Sequence, residues 1–338
     1  MNKEREGPDV TVVIPTRDRW DLLSRHGLRS ALGQEDVEVE VIVVDDGSTD
    51  GTAGSVAALD ERRLRVIRHE ESRGQAGARN AGIAAARGEW LAFLDDDDLW
   101  SPRKLRAQLD TASMSGAGFV YAGAVLVYDD GSILTFDRFP NDDDLSSALL
   151  ESNVIPAGAS NILARTDLVR GLGGFDERLS FLTDWDLWTR LALAGRGAAC
   201  EQLLVAHFKH GSSELIRYRP DVVGEFEYVV DKHAAHIAPA ARSRARRGLL
   251  EWLVHEYRQA GYSRLRAYGE VVVGQRSFAR AARAVGELSR GLGRRLATSL
   301  VRRLTPGPPA GGNEKRRVPA TEPAWLHLYR SDREGERD

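Results

Sequence analysis

Val10-Thr11-Val12-Val13-Ile14 is a β-branched run that predicts a strand, closed by Pro15. Trp20, Leu22, Leu23, Leu28, Ala31 and Leu32 then recur at helical spacing, with Gly33 near the end of that helix. Residues 37–44 read as a second strand. It runs into Asp45-Asp46-Gly47-Ser48-Thr49-Asp50, whose turn residues can cap a helix over about 51–60. Residues 64–67 give a third strand. The glycine-punctuated stretch 73–82 starts an Ala-rich helix, and the apolar run from Trp90 to Leu94 is a fourth strand. Strands alternating with helices at this spacing predict βαβ units and a parallel sheet.

After Asp98 the rhythm changes. Ser101-Pro102 opens a helix to about Ser115, since proline is tolerated in a first turn. Phe119–Tyr128 and Ser132–Phe136 flank Asp129-Asp130-Gly131, a hairpin signal that brings in antiparallel strands. A helix over 144–152, a strand over 159–164, an amphipathic helix from Asp184 to Leu193 and a strand from Ala199 to Phe208 follow. From 221 the pattern is helical. From Thr305 the chain is rich in Pro, Gly and charge, and reads as a disordered tail.

Composition narrows the class. Of 338 residues, 42% are hydrophobic and 29% charged, as in a soluble globular protein. A net charge of −3 argues against a general nucleic-acid binder. That average hides residues 262–304, where ten arginines meet two glutamates. Phe278, Ala281, Ala282, Val285, Leu288, Leu292, Leu296, Leu300 and Leu304 keep helical spacing between those arginines. Such a basic amphipathic stretch suits peripheral contact with an anionic membrane, or packing on a domain with its basic face in water. Cys200 is the only cysteine, which excludes an internal disulfide framework and a Cys-based zinc site. No apolar run nears the ~20 residues of a membrane span, and the first residues are charged where a signal peptide is apolar. A cytoplasmic protein is expected, with membrane association at the inner face open through 262–304.

Chemistry concentrates where the fourth strand ends, at Asp95-Asp96-Asp97-Asp98. Adjacent carboxylates repel, so the run needs either open water or a hard divalent cation. In an extended segment Asp95 and Asp97 would share one side, Asp96 and Asp98 the other. Asp45 and Asp46 close the second strand, where carboxylates suit a uracil N3–H and ribose hydroxyls, or cap the next helix as an Asx turn. Arg79 lies in the Gly/Ala-rich helix start, where small neighbours let a guanidinium meet a diphosphate. Arg73 and Asn80 are weaker candidates there, and Asp50 is assigned to capping. Asp184 shares one helix face with Leu187, Trp188 and Leu191, whereas Asp186 is displaced by about 200°. Burial would raise the pKa of Asp184 and the helix dipole would lower it. His207 and His210 are three apart on a strand, on opposite faces, which speaks against a two-His metal site.

Five motifs resemble glycosyltransferase family 2 in their order. They are Val-Val-Ile-Pro-Thr (12–16), Val-Asp-Asp-Gly-Ser-Thr-Asp (44–50), Gly-Ala-Arg-Asn-Ala-Gly (77–82), Phe-Leu-Asp-Asp-Asp-Asp (93–98) and Thr-Asp-Trp-Asp-Leu-Trp (183–188). The resemblance implies a GT-A fold: a Rossmann-like, mostly parallel sheet with helices on both sides, here with a helical C-terminal extension. It implies a catalytic domain over 1–220, with a nucleotide-binding half at about 9–100 and an acceptor-binding half at about 101–220. Region 221–304 would be helical and basic, and 305–338 a tail. It further implies inverting transfer of a single sugar from a nucleotide sugar, a UDP-sugar in this reading, to a glycan, lipid-linked or peptide acceptor in cell-surface polysaccharide or glycoconjugate synthesis. Pro15, Thr16, Arg17, Asp45 and Asp46 would line the nucleotide, with Asp46 on the base. Arg79 would meet the diphosphate, and Asp95 and Asp96 would lie at the donor. Asp97, Asp95 and His210 would hold Mg²⁺ or Mn²⁺, and Asp184 would be the base. Thr183-Asp184 stands where family members commonly carry Glu-Asp. A sugar-phosphate nucleotidyltransferase, or a non-catalytic nucleotide- or glycan-binding protein on the same fold, are the alternatives.

Overall fold

The computed structural model describes residues 7–128, 132–137, 139–140, 144–209, 221–259 and 323–329. The chain divides into two compact units. One comprises Met1–Leu149, Asn153–His210 and Pro319–Asp338, the other Leu150–Ser152 and Gly211–Val318. The division expected at 220 therefore falls near 210, and residues 319–338 belong to the first unit.

That unit is built on a nine-stranded sheet. Strands β1 (Val10–Thr16), β2 (Val39–Asp45), β3 (Leu64–Arg68) and β4 (Trp90–Phe93) run parallel in the order β3-β2-β1-β4. Every residue of β1, β2 and β4 is buried, as expected for parallel strands covered on both faces. The β1 strand continues through Pro15 to Thr16, beyond its expected end. Its neighbour β4 pairs only with Val10–Val13, so no ladder bond on that side needs a Pro15 N–H. Beyond β4 the sheet becomes mixed. Strand β8 (Leu163–Arg165) is antiparallel to β4, β6 (Phe119–Tyr128) is antiparallel to β8, and β9 (Gly197–Lys209) is parallel to β6. Strand β5 (Leu99–Trp100) lies antiparallel on β9, and β7 (Ile133–Phe136) antiparallel on β6. The expected turn at 129–131 lies outside the described residues.

Helices cover the first four strands from both sides. Val10, Val12 and Ile14 share one apolar cluster with Leu23, Leu28 and Ala31, from a helical run of α1 (Trp20–Leu22), a π-helical turn (Leu23–Gly27) and α2 (Leu28–Leu32). Val13 points the other way, into α4 (Gly74–Ala85). A Cβ at Gly82 would stand 2.3 Å from Val13 Cγ1, so only glycine allows α4 to lie this close. The first βαβ unit turns to one side of β1 and β4 lies on the other. The chain order thus switches between β1 and β4, where open α/β sheets form a crevice beyond their carboxyl ends.

Two expectations change. Residues 159–164 do not form one strand: Gly158–Asn161 is a 3₁₀ turn, and only Leu163–Arg165 is extended. Ala157 and Gly158 adopt left-handed φ values of 59° and 51°, and the Asn161 side chain exchanges two 2.7 Å hydrogen bonds with the Ala122 backbone. A side-chain amide here does the pairing that a strand backbone would do. The tail is likewise not all disordered, because Ala324–Tyr329 forms a 3₁₀ turn with Leu326 fully buried. The second unit contains helices Val222–Lys232 and Pro239–Gln259. The amphipathic stretch 262–304 lies outside the described residues. Among the described residues no helix is long and apolar enough to cross a membrane.

Gly82 sets the approach of α4, and Arg79 sits one turn earlier on the same helix. Val13 is β-branched and buried, so it cannot swing away from an added methyl. Gly82→Ala should lower stability by about 1–3 kcal/mol through overpacking. Urea unfolding checks this; an unchanged midpoint would show that the sheet yields to α4.

Candidate active site

Between β4 and β5, Asp95 to Asp98 form a turn closed by Asp98 N–H donating to Asp95 O at 3.2 Å. The alternation expected of an extended segment is therefore not formed. The turn instead directs the carboxylates toward donors on three sides. Asp95 Oδ1 accepts from Arg79 Nη2 at 2.6 Å. Arg19 serves the next two, with Nη1 on Asp96 Oδ1 and Nη2 on Asp97 Oδ2, both at 2.8 Å. Thr16 Oγ1 adds a 2.7 Å bond to Asp96 Oδ2. Fully buried Asp98 accepts from Ser160 Oγ at 2.5 Å and Phe208 N–H at 3.2 Å, with His207 Nδ1 3.0 Å away.

Backbone contacts hold the same turn. Ser160 Oγ accepts from Asp95 N–H at 3.0 Å, and its carbonyl accepts from Trp100 Nε1 at 2.6 Å. Gly27 N–H donates to Asp96 O at 3.3 Å, and His26 Nδ1 lies 3.1 Å from Asp97 O. Burial pushes the Asp96 carboxyl up to about 7, against the pull of Arg19 and helped by Asp97. Burial also raises Asp98, with His207 opposing.

At the end of β2 the two aspartates have different fates. Asp46 accepts from four donors, two on each oxygen: His69 Nδ1 (2.7 Å) and Arg73 N–H (2.9 Å), then Ser72 Oγ (2.6 Å) and Gly74 N–H (2.9 Å). A carboxylate offers about four acceptor positions, so this one is filled by its own chain. Burial opposes ionisation of Asp46, but these donors hold its carboxyl below the usual range. Asp46 thereby fixes the start of α4 to β2, and Arg73, a diphosphate candidate, meets it through its backbone. Asp45 Oδ1 accepts from Ser48 N–H at 2.8 Å, while Oδ2 is buried without a hydrogen-bond partner among the described residues. Pro15 and Thr16 are buried beside this strand end, and Arg17 is exposed. Asp50, one residue before the N-cap Gly51 of α3 (Thr52–Ala57), accepts from Thr52 N–H at 3.0 Å.

Arg79 is 2% exposed, and its guanidinium lies over the Phe175 ring at 5.2 Å. Its Nε is buried with no hydrogen-bond partner among the described residues. Phe175 meets Trp188 of α8 (Thr183–Ala194) edge-on, with centroids 6.1 Å apart, so one aromatic contact connects α4 to α8. Asn80 is spent on this loop: its amide exchanges bonds of 2.9 and 2.8 Å with the Phe175 backbone.

Asp184 accepts from Trp185 N–H at 2.7 Å and Asn153 Nδ2 at 3.2 Å. Burial raises its carboxyl above the ordinary aspartate range, Arg79 pulls it down and Asp95 pushes it up. The sign left open by sequence is therefore upward, and Asp184 feels the charges of the acidic turn. Asp186 points elsewhere. It is fully buried and paired with Arg190 Nη2 at 2.7 Å, and Arg190 also donates to Leu172 O and Gly174 O.

Three carboxylates of the turn face two guanidinium groups and the fourth, Asp98, faces His207, so hard, anionic oxygen donors are in excess there. That donor chemistry fits a hard divalent cation. Among the described residues no group of three or more His, Cys, Asp or Glu is already gathered around a cation position. His210, expected as a ligand, lies outside the described residues; His207 meets the turn at Asp98 and His26 meets it at Asp97 O. Arg19 and Ser160 were missed. Arg19 had a signal in its place just after β1, whereas Ser160 had none, since it lies 62 residues from Asp98.

Residues 11–161 match the family described as Glycosyl transferase family 2. The succinoglycan biosynthesis protein ExoO of Rhizobium meliloti is 37% identical over 220 residues, 61% of this chain and 62% of that protein. The Escherichia coli protein WfgD, named a UDP-Glc:α-D-GlcNAc-diphosphoundecaprenol β-1,3-glucosyltransferase, is 29% identical over 38% of this chain and 50% of its own. The chain thus spans about half to three-fifths of the length of these relatives. Staphylococcus aureus TarS 1–349, solved with UDP-GlcNAc, superposes with a TM-score of 0.56 at 19% identity, covering 79% of this chain and 81% of that one. This likeness gives the fold, GT-A, as the sheet order suggested. With the motifs in order, residues 11–161 of this chain match glycosyltransferase family 2.

Proposed function

We propose that this protein is an inverting glycosyltransferase that moves one sugar from a UDP-sugar to an acceptor hydroxyl in cell-surface polysaccharide synthesis. The observation that carries the reading is the shared electrostatics of Arg79, Asp95 and Asp184. A buried guanidinium, the acidic turn and a carboxyl of raised pKa act on one another at the switch point of the sheet. The names of ExoO and WfgD support polysaccharide synthesis, and that of WfgD supports a lipid-linked acceptor. The UDP-GlcNAc in TarS supports a UDP-sugar.

Arg79 would meet the diphosphate with its Nε, which has no hydrogen-bond partner among the described residues. Asp95 and Asp97, with His210, would hold Mg²⁺ or Mn²⁺. Bound there, the cation would neutralise charge as the diphosphate leaves. Asp184 would take the proton of the acceptor hydroxyl as it attacks the anomeric carbon, and its raised pKa makes it a stronger base than an ordinary aspartate. Thr16 and Arg19 keep Asp96 and Asp97 in place. Asp46 can accept from a uracil N3–H only by releasing a donor, and the Ser72 hydroxyl is the one that a single bond rotation frees.

Asp184→Asn should cut turnover by about 10²–10⁴ with little change in UDP affinity. Asp186→Asn should instead lower stability by about 3 kcal/mol, because it breaks a buried ion pair, and leave turnover of the folded fraction nearly unchanged. UDP release and thermal unfolding, measured on both variants, test this pair. In wild type, the acid limb of kcat/KM should lie above the ordinary aspartate value of 3.8, since protonated Asp184 cannot act as base. A larger turnover loss in Asp186→Asn would mean that the wrong carboxylate was chosen.

Asp46→Ala should weaken UDP binding by about 1.5–3 kcal/mol, the range of a charge-assisted hydrogen bond. Ser72→Ala should leave UDP binding equal or tighter. Calorimetry that finds equal affinity for UDP and N3-methyl-UDP would remove Asp46 from the nucleobase site. For the cation, Asp97→Ala and EDTA should each abolish transfer without unfolding; full activity under either treatment would contradict the metal reading.

A further inference from the structure

The docked C-terminal turn Ala324–Tyr329 touches three elements that border the acidic turn. Leu326, fully buried, belongs to one apolar cluster with Leu99, Val125, Val127 and Ala206. Leu99 directly follows Asp98. Trp325 Nε1 donates to Leu203 O at 2.8 Å, on the strand β9 that brings His207 and Phe208 to Asp98. On a third side, Arg29 Nη2 donates to Leu328 O at 3.3 Å, and its guanidinium lies over the Tyr329 ring at 5.2 Å. Arg29 stands on the helical run whose Gly27 and His26 touch Asp96 O and Asp97 O. His26 also stacks on Phe208 with ring centroids 5.1 Å apart, so these supports contact one another.

We propose that residues 324–329 are a clasp for the acidic turn, with Leu326 and Trp325 as positioning residues for the donor diphosphate and its cation. The 3₁₀ geometry sets residues i and i+3 on one edge, so Leu326 and Tyr329 engage the domain together. Without Leu326 the cluster under β5 loses its buried side chain, and Leu99 no longer pins the exit of the turn. The spacing of Asp95 and Asp97 then loosens, which weakens binding of a cation and a diphosphate held by both. The cation part rests on the reading of the turn as the donor site; the ordering part does not.

The test uses the full chain and its Leu326→Asp, Leu326→Met and Trp325→Ala variants. Amide hydrogen exchange is followed together with calorimetric affinity for UDP in Mn²⁺. In Leu326→Asp, exchange over residues 94–100 should quicken while β1 to β3 keep their protection, and UDP affinity should fall by about ten- to a hundredfold, as when support for metal ligands is removed. Leu326→Met should match wild type, and a peptide of residues 319–338 should restore the Leu326→Asp variant. Should Leu326→Asp fail to fold, Trp325→Ala decides on the same readouts. Unchanged exchange over 94–100, or a uniform rise that includes β1 to β3, would overturn the clasp. If exchange at the turn responds but wild type binds no UDP with Mn²⁺, the clasp stands and the donor-site reading falls.

Discussion

Mutual repulsion among Asp95, Asp96, Asp97 and Asp98 is the constraint to which the rest of this domain responds. Like charges this close cannot all be ionised in a buried place without compensation. The turn solves it by direction: Asp95 meets Arg79, Asp96 and Asp97 share the two ends of Arg19, and Asp98 turns to Ser160. Those donors come from the loop after β1, from α4, from the 3₁₀ turn at Ser160 and from β9. The acidic turn therefore ties the parallel half of the sheet to the mixed half. Burial first, and then the neighbouring Asp97 and Asp95, push the Asp96 carboxyl up to about 7 against Arg19 and Thr16. A site left short of positive charge is chemically ready for a cation.

A second constraint is distance across the sheet. Gly82 lets α4 lie against Val13, and that approach carries Arg79 to Asp95 and onto Phe175. Phe175 passes the contact to Trp188, whose helix presents Asp184 to the same electrostatic field. One close-packed glycine thus stands behind the relation between Arg79 and the proposed base. Asp46 plays a similar part on the other side of α4 by joining the start of that helix to β2. Asp46 and Gly82 show that residues in family motifs can serve the frame of a site as much as its ligands.

Much of the architecture was legible in the chain. Parallel strands buried on both faces must be nearly continuous β-branched runs, and β1, β2 and β4 read that way. Helical periodicity separated Asp184 from Asp186, and the structure pairs only Asp186 with Arg190. These signals are local: they depend on spacings within one element, which the sequence displays directly.

What the tertiary structure decided was every choice made between distant residues. Nothing in the spacing of Asp45 and Asp46 tells that Asp46 is filled by donors from 69 to 74 while one Asp45 oxygen has no partner among the described residues. The sign of the Asp184 shift needed the burial that only the fold sets, and then the positions of Arg79 and Asp95, because burial and dipole act in opposite directions on paper. Residues 159–164 look like a strand, yet Asn161 takes over its pairing across 39 positions of sequence. Trp325 and Leu326 sit in a charged, proline-rich tail, where composition alone says disorder. A buried pocket formed by Leu99, Val125, Val127 and Ala206 orders them instead. Local propensity fixes elements because it acts over a few residues. Protonation, pairing and docking follow from what the folded chain brings within a few ångströms, which no local pattern records.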